Sequence, residues 1–252
     1  MRKISAQRVI GTLVLLLFAA LVLLPLFWLG VSAFKSDADV IKWPPIFFPT
    51  EWVTTQFAYV WKVLPIARML LNTVVFAGGV TIISLFFDSM AAYAFARIDF
   101  PFKNIIFVLV LSVLMVPGQI FLIPQYTIVQ KLGLLDTIPA LFLPNLFSAF
   151  GTFLLRQFFM SLPKELEEAA VLDGCSRYQI FGQIMLPLVK PGIVALVIFT
   201  AKFAWNDFMW PLIVNTSTDK MTLGPALSTL RGQYTTQYPM QMAGAVMAVL
   251  PL

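Results

Sequence analysis

The chain has 252 residues, of which 60% are hydrophobic and only 12% are charged, and its formal net charge is +5. A soluble domain carries roughly 25% charged residues, so this composition predicts an integral membrane protein. The sequence has no histidine and a single cysteine, Cys175. Histidine-dependent acid–base chemistry and an internal disulfide are therefore excluded, and metal or thiol-redox chemistry is not expected.

Six apolar segments are candidates for membrane-crossing helices, because about 20 uncharged residues cross the hydrocarbon core. They lack the period-2 alternation of a transmembrane β-barrel, so we expect an all-α polytopic membrane protein with six transmembrane helices in one domain, residues 1–252. Only the stretch from Met240 to Leu252 remains for the sixth, too short to cross, so we expect the natural C-terminus to lie further on. The expected spans are about 9–31, 71–95, 104–124, 138–158, 188–213 and 240–252.

The basic residues Arg2, Lys3 and Arg8 precede the first apolar segment. This segment is far longer than the apolar core of a signal peptide, and no A-x-A-like cleavage site follows it closely, so we expect a retained helix. Placing the N-terminus in the cytoplasm leaves more basic residues on the short inner segments than on the longer outer ones, as the positive-inside rule requires. The outer loop over residues 32–70 is rich in Trp and Phe, which predicts a position at the membrane interface.

The only long hydrophilic stretch on the inner side runs from Ser161 to Pro187. Acidic residues follow Pro163, where a helix N-terminus favours them, and Gly174 can adopt the left-handed conformation that ends a helix. Ser176 with Gln179 three residues later predicts a capping box and a second helix, which Pro187 would end. Small residues on the first helix would allow another protein to approach closely.

Within this loop Glu168-Ala169-Ala170 is followed at fixed spacing by Gly174, Ile184 and Leu186-Pro187. These residues match the EAA motif of permease subunits of binding-protein-dependent ABC importers at every fixed position, and the loop therefore resembles that motif. Other segments are similar to the carbohydrate branch of this family, namely the second permease of maltose-type transporters; Asp88 and Cys175 depart from its usual residues. These segments are Ala91-Ala-Tyr-Ala-Phe-Ala-Arg97, Phe100-Pro-Phe-Lys103, Gly133-Leu-Leu-Asp136, Phe153-Leu-Leu-Arg-Gln-Phe-Phe159, Asp173-Gly174 and Trp205-Asn-Asp-Phe-Met-Trp-Pro-Leu212.

The resemblance implies a type I ABC importer permease fold in a bacterial or archaeal cytoplasmic membrane. The loop over residues 161–187 would carry a coupling helix that docks on a cytoplasmic ATPase. The implied partners are a second permease, an ATPase dimer, an extracytoplasmic sugar-binding protein and membrane lipid. ATP and Mg would bind to the ATPase, and this sequence has no phosphate-binding loop of its own. The implied coupling residues are Glu165, Glu168, Ala169, Ala170, Asp173, Gly174, Ile184, Leu186 and Pro187.

Polar residues inside the expected spans are candidates for the translocation pathway, because charge at mid-bilayer is costly unless it faces water or a partner. At helical spacing Lys202, Trp205, Asn206 and Met209 share one face. An indole plane beside an amide suits a sugar, so Trp205 and Asn206 either line the pathway or support packing between subunits. Asp88, near the inner end of the second span, could pair with a cation, although water in an inward-facing cavity is the favoured interpretation.

Sequence reasoning leaves rival functions. Within the same branch the substrate could be a glycerol-phosphate ester, for which Lys202 would supply the positive charge. An ion-coupled secondary transporter would also use intramembrane Asp and Lys, but would work without a cytoplasmic partner. No clustered catalytic constellation supports an enzyme. Basic residues that flank spans account for the net charge, and no Lys/Arg cluster indicates nucleic acid.

Overall fold

The computed structural model describes residues 6–230 and 238–249. Every regular element in these residues is helical, which confirms the predicted all-α class. Arg2, Lys3 and Arg231 lie outside the described residues, as does the end of the expected sixth span, 250–252. The α-helices are α1 (Ala6–Ser32), α2 (Asp37–Val40), α3 (Thr55–Val63), α4 (Ile66–Arg97), α5 (Lys103–Ser112), α6 (Leu122–Lys131), α7 (Ile138–Phe142), α8 (Ala149–Met160), α9 (Glu165–Leu172), α10 (Arg177–Gln179), α11 (Leu186–Leu188), α12 (Lys190–Asn206), α13 (Met209–Val214), α14 (Leu223–Ser228) and α15 (Tyr238–Val249).

The described residues form two compact units. One unit contains residues up to Ile66 together with those from Leu223 onward, and the other is Ala67–Thr222. The boundaries fall at the start of α4 and the start of α14, so no Gly/Ser-rich linker marks them in the sequence.

In the first unit, α15 packs against α1, α3 and α14. The loop after α1 is fixed by Lys35, which is fully buried. Its ammonium donates to the Ile46 carbonyl at 2.7 Å and lies 3.9 Å from the centre of the Trp28 ring. Gln56 donates to the Lys35 carbonyl from the other side. Carbonyl and aromatic contacts thus replace water around a buried cation.

Two helices of the described chain, Val9–Ser32 and Ile66–Arg97, are long and apolar enough to cross a membrane, and up to five spans result if each bent helix pair counts as one. Each expected span from the third to the fifth coincides in part with a bent pair. Those pairs are Lys103–Met115 with Gly118–Lys131 at 97°, Ile138–Asn145 with Ala149–Met160 at 53°, and Arg177–Leu188 with Lys190–Asn206 at 78°.

Two clusters of buried side chains hold the second unit together. Core cluster one joins α4, α6, α7, α12 and α13, and the indole of its Trp210 donates to the Ala140 carbonyl at 3.2 Å. Core cluster two joins α4, α8, α9 and α12 with the segment between α9 and α12. Cluster one contains Phe76, Ala77, Val80, Val129, Ala140, Leu141, Ala204, Trp210 and Val214; cluster two contains Ala92, Tyr93, Leu155, Phe159, Ala170, Ile180, Met185, Val189 and Leu196.

Asp136 fastens the loop between α6 and α7 to the segment after α13. Its carboxylate accepts hydrogen bonds from the Ser217 hydroxyl, from the Ser217 N–H at 2.9 Å and from the Thr216 N–H at 3.0 Å. Its own N–H donates to the Val214 carbonyl. The hydroxyl and N–H of Ser217, followed by the Thr216 N–H, hold the pKa of Asp136 below its ordinary value.

We predict that Asp136→Asn lowers the thermal midpoint of the purified protein at pH 7, because the amide places an NH₂ group among N–H donors. A lowered folded-state pKa stabilises the fold above the unfolded carboxyl pKa, about 3.9, and this contribution is lost as pH falls through the folded value. The difference from wild type should therefore shrink below about pH 4. Asp99→Asn, at a fully exposed carboxyl, is the control. A difference as large at pH 3 as at pH 7 would contradict this account.

Candidate functional site

Helix α9 begins the inner loop and ends as the sequence predicts. Glu165, Glu167 and Glu168 occupy its first turn, where the helix dipole favours them. At its end the Gly174 N–H donates to the Val171 carbonyl and the Cys175 N–H to the Ala170 carbonyl, each at 3.0 Å. This is a Schellman motif, and it requires the left-handed φ of +78° at Gly174.

The second helix of the loop begins at the predicted capping box. The Ser176 hydroxyl accepts from the Gln179 N–H, and the Gln179 side chain accepts from the Ser176 N–H at 2.8 Å. Ile180–Met185 then forms a π-helix. Pro187 was expected to end this helix, but the helical backbone continues to Leu188 and bends at Val189. Pro187 lies in the first turn of α11, where its missing N–H is tolerated.

The implied coupling residues divide between two environments. Glu165, Glu168, Ala169, Asp173, Gly174 and Pro187 are exposed, whereas Ala170 is buried in core cluster two. Ile184 and Leu186 pack against the same cluster. The expected outward cluster of small residues on α9 therefore lacks Ala170, because Tyr93 and Phe159 belong to the cluster that covers it.

The two most exposed apolar side chains of the loop were not predicted from the sequence. Leu172 is 88% exposed and Tyr178 is 84% exposed. Their signal was the presence of large apolar residues in an otherwise hydrophilic loop. Exposed apolar groups of this size next to polar ones are typical of a surface that another protein covers.

A cavity of about 850 Å³ lies where the ends of α7, α8, α12 and α13 approach α4. Phenyl rings form much of its wall, and hydroxyl, amide and charged groups interrupt them. Its lining residues are Val80, Ser84, Asn145, Phe147, Ser148, Phe150, Phe199, Thr200, Lys202, Phe203, Asn206, Asp207, Phe208 and Met209.

Three of the five expected pathway residues, Lys202, Asn206 and Met209, line this cavity. The sequence predicted that they share one helix face. In the structure they do not lie on one continuous helix, because α12 ends at Asn206 and the backbone of Asp207 is extended, with ψ of 119°. The Asn206 amide donates to the Lys202 carbonyl at 2.8 Å, and the Asp207 carboxylate accepts from the Trp210 N–H at 3.4 Å. Trp205 is not among the lining residues; it packs against core cluster one.

Asp88 lies behind the cavity and is fully buried. Its carboxylate accepts from the Ser148 N–H and from the Ser84 hydroxyl, each at 2.8 Å. Ser148 in turn caps α8 by accepting from the Gly151 N–H at 3.1 Å. The expected contact with water is therefore wrong, and no cation of the described residues lies within 4 Å of this carboxylate. Asp88 instead stabilises the N-terminus of α8, where a negative charge is favoured.

Ser84, Asn145 and Ser148 were missed as lining residues, because hydroxyls and amides in spans more often cap a helix or bond one helix to another. No metal centre accompanies the cavity: within residues 6–230 and 238–249, no three His, Cys, Asp or Glu side chains lie close enough together to hold an ion.

Comparison with known proteins relates the chain to transport systems. Residues 84–252 match the family described as binding-protein-dependent transport system inner membrane component. An arabinooligosaccharides transport system permease protein of Halalkalibacterium halodurans is 35% identical over 93% of this chain and 85% of the relative. A diacetylchitobiose uptake system permease protein of Streptomyces coelicolor is 33% identical over 94% and 80%.

A third relative is named for another substrate: an sn-glycerol-3-phosphate transport system permease protein of Yersinia pestis is 32% identical over 95% of this chain and 88% of the relative. Among solved structures, a chain of a bacterial ABC transporter involved in the import of the acidic polysaccharide alginate matches with a TM-score of 0.83. That match covers 100% of this chain and 95% of the other at 21% identity, and it shows the fold.

We predict that Gly151→Ala destabilises the protein by about 1–3 kcal/mol, the usual cost of overpacking. A Cβ there would collide with Oδ2 of Asp88 and lie 2.8 Å from its Cγ. The two hydrogen bonds of that carboxylate prevent an easy shift. Gly78→Ala is the control, because nothing lies within 4 Å of its added carbon. Thermal unfolding in detergent should separate the two variants, and equal midpoints would contradict the packing at Asp88.

Proposed function

The chain belongs to the family of binding-protein-dependent transport system inner membrane components, and we propose that it is the permease subunit of an ABC importer for a di- or oligosaccharide. In this proposal a binding protein delivers the sugar, a second permease completes the pathway, and an ATPase dimer binds ATP and Mg. The subunit itself catalyses no reaction. It resides in the cytoplasmic membrane with a cytoplasmic N-terminus.

The cavity of about 850 Å³ is the observation that carries the substrate class. Its volume falls in the range of roughly 300–1,000 Å³ typical of small-molecule sites. The C–H faces of a sugar ring can pack on Phe147, Phe150 or Phe203, while hydroxyl edges can bond to Asn145 and Asn206. This combination supports a polar, uncharged substrate with apolar faces.

A glycerol-phosphate ester is the second candidate, since one relative is named for sn-glycerol-3-phosphate transport and Lys202 lines the cavity. However, Asp207 lines the same cavity. A carboxylate next to the path of a phosphate ester repels it, and like charges at close range cost free energy. The pair Lys202 and Asp207 favours the neutral sugar.

We propose that the exposed face of α9, with Leu172 and Tyr178, docks on the ATPase. Cluster two then transmits the force, because Ala170 and Ile180 pack with Leu155 of α8 and Tyr93 of α4. Densely packed side chains of this kind transmit displacement rather than absorb it. Movement of α9 would in this way shift the inner ends of α4 and α8. Glu165, Glu168, Ala169, Asp173 and Gly174 are the proposed docking residues; Ala170, Ile184, Leu186 and Pro187 join them to the span.

We propose that Lys202, Asn206 and Met209 contact the sugar and that Trp205 supports the end of α12 from behind. Asn206→Ala should lower sugar uptake roughly two- to tenfold with little change in thermal midpoint, as expected for one lost hydrogen bond. Trp205→Ala should lower both uptake and midpoint, because its ring packs against core cluster one. Gln130→Ala, at an exposed amide of α6, is the control. If uptake survives both changes, these residues have no pathway role.

The docking proposal is tested by sugar-stimulated ATPase activity of the reconstituted complex. Glu168→Lys and Gly174→Arg should abolish the stimulation while the permease remains inserted. Glu51→Lys is the matched charge reversal at an exposed site of the first unit. Gly133→Arg is the matched backbone control, because Gly133 also has a positive φ, +67°, and open space around it.

Stimulation that persists in both loop variants would contradict docking through α9. The rival function, an ion-coupled secondary transporter, predicts that uptake continues when the ATPase is left out of the reconstituted complex. Loss of uptake without the ATPase would exclude it.

A further inference from the structure

A second cavity, of about 390 Å³, lies at the ends of α4, α5 and α8, on the side of the molecule that carries α9. Arg97 marks this side, because its guanidinium donates to the carbonyls of Phe159 and Leu162, just before α9 begins. The lining residues are Phe95, Ala96, Arg97, Asp99, Lys103, Asn104, Arg156, Met160 and Lys164.

The cavity carries an excess of positive charge. Four cations, Arg97, Lys103, Arg156 and Lys164, line it with one acid, Asp99. The Lys103–Asp99 pair measures 3.5 Å, but the Asp99 side chain is fully exposed, so water screens the pair. In the part of the chain that the structure describes, no carboxylate lies within 4 Å of the other three cations.

The two guanidiniums are held in place by groups that do not neutralise them. Nε of Arg156 donates to the Phe95 carbonyl at 3.2 Å, and its guanidinium lies 4.2 Å from the centre of the Phe107 ring. Arg97 is fixed by the two carbonyls of α8 and its end, and its Nε is buried without a partner in the described residues. Fixed guanidinium forks are suited to phosphate oxygens.

Helix α5, which contributes Lys103 and Asn104 to the cavity, also carries exposed apolar side chains. Phe102 is 73% exposed beside Lys103, and Ile105, Val108 and Leu109 of α5 are each about 60% exposed. A soluble anion makes no favourable contact with these apolar side chains, whereas the acyl chains of a lipid can pack along them. Cation pockets between transmembrane helices on the cytoplasmic side are typical sites for acidic lipid headgroups.

We propose that this cavity binds the phosphate headgroup of an anionic phospholipid, with the acyl chains along the exposed face of α5. The bound lipid would connect α4, α5 and α8 at the level where α9 begins. Its binding requires only that the chain spans a membrane, so it does not depend on which substrate the complex transports.

The test is native mass spectrometry of the purified complex titrated with phosphatidylglycerol, with phosphatidylcholine as the neutral lipid. Lys103→Gln with Arg156→Gln should weaken phosphatidylglycerol retention about tenfold or more, given two lost cations. Lys62→Gln with Lys131→Gln removes the same charge from exposed sites outside the cavity and should change nothing. Lys103→Gln alone should weaken retention severalfold and guards against misfolding, because it removes no packing contact with Phe107.

Equal retention of both lipids, or retention unaffected by the cavity variants, would overturn the proposal. A parallel titration with inorganic phosphate distinguishes a lipid headgroup from a free anion. If phosphate binds the complex and phosphatidylglycerol does not, the site binds a soluble anion and the lipid proposal is wrong. If the cavity variants instead lose the second permease without any change in lipid binding, the cavity is a protein interface and the lipid assignment is wrong.

Discussion

A break in a helix within a membrane leaves backbone N–H groups that lipid cannot bond, and this constraint shapes the second unit of the chain. The N-terminus of α8 follows one such break, and Asp88 and Ser148 accept the freed N–H groups there. The N-terminus of α13 follows another, where Asp207 accepts from Trp210. The carboxylates of Asp88 and Asp207 thus accept from backbone N–H groups that a straight helix would have paired within itself.

The same breaks create the transport cavity that we propose. Because α12 stops at Asn206, the chain can turn Asp207, Phe208 and Met209 toward the space between the helices. A continuous helix turns about 100° per residue and would have directed these three side chains to different sides. Two side chains serve both purposes: Ser148 and Asp207 accept freed backbone N–H groups and are also polar residues of the cavity wall.

Features that depend only on neighbouring residues were predicted correctly from the sequence. The helix end at Gly174 and the capping box at Ser176 depend on residues at most five positions apart, and both are present. Tertiary packing could not be predicted from the sequence. Residue spacing alone does not show that Ala170 is buried in core cluster two or that Trp205 packs against core cluster one. The bend at Val189 lay two residues beyond the proline that suggested it. Asp88 was misjudged because Ser148, whose N–H it accepts, lies 60 residues further along the chain and only the fold brings it to α4, where Ser84 is the second partner.

The π-helix over Ile180–Met185 gives the inner loop a register that no α-helix has. Ile180 and Met185, five residues apart, are both buried in core cluster two, and Val189 follows four residues later. A π-turn behaves as an α-helix that has gained one residue. Deleting a single residue here would restore the α period and rotate the preceding segment about 100° against the span. One inserted residue thus sets the orientation of the proposed docking face of α9, and a change of chain length by one at this point would rotate that face without altering any of the proposed docking residues.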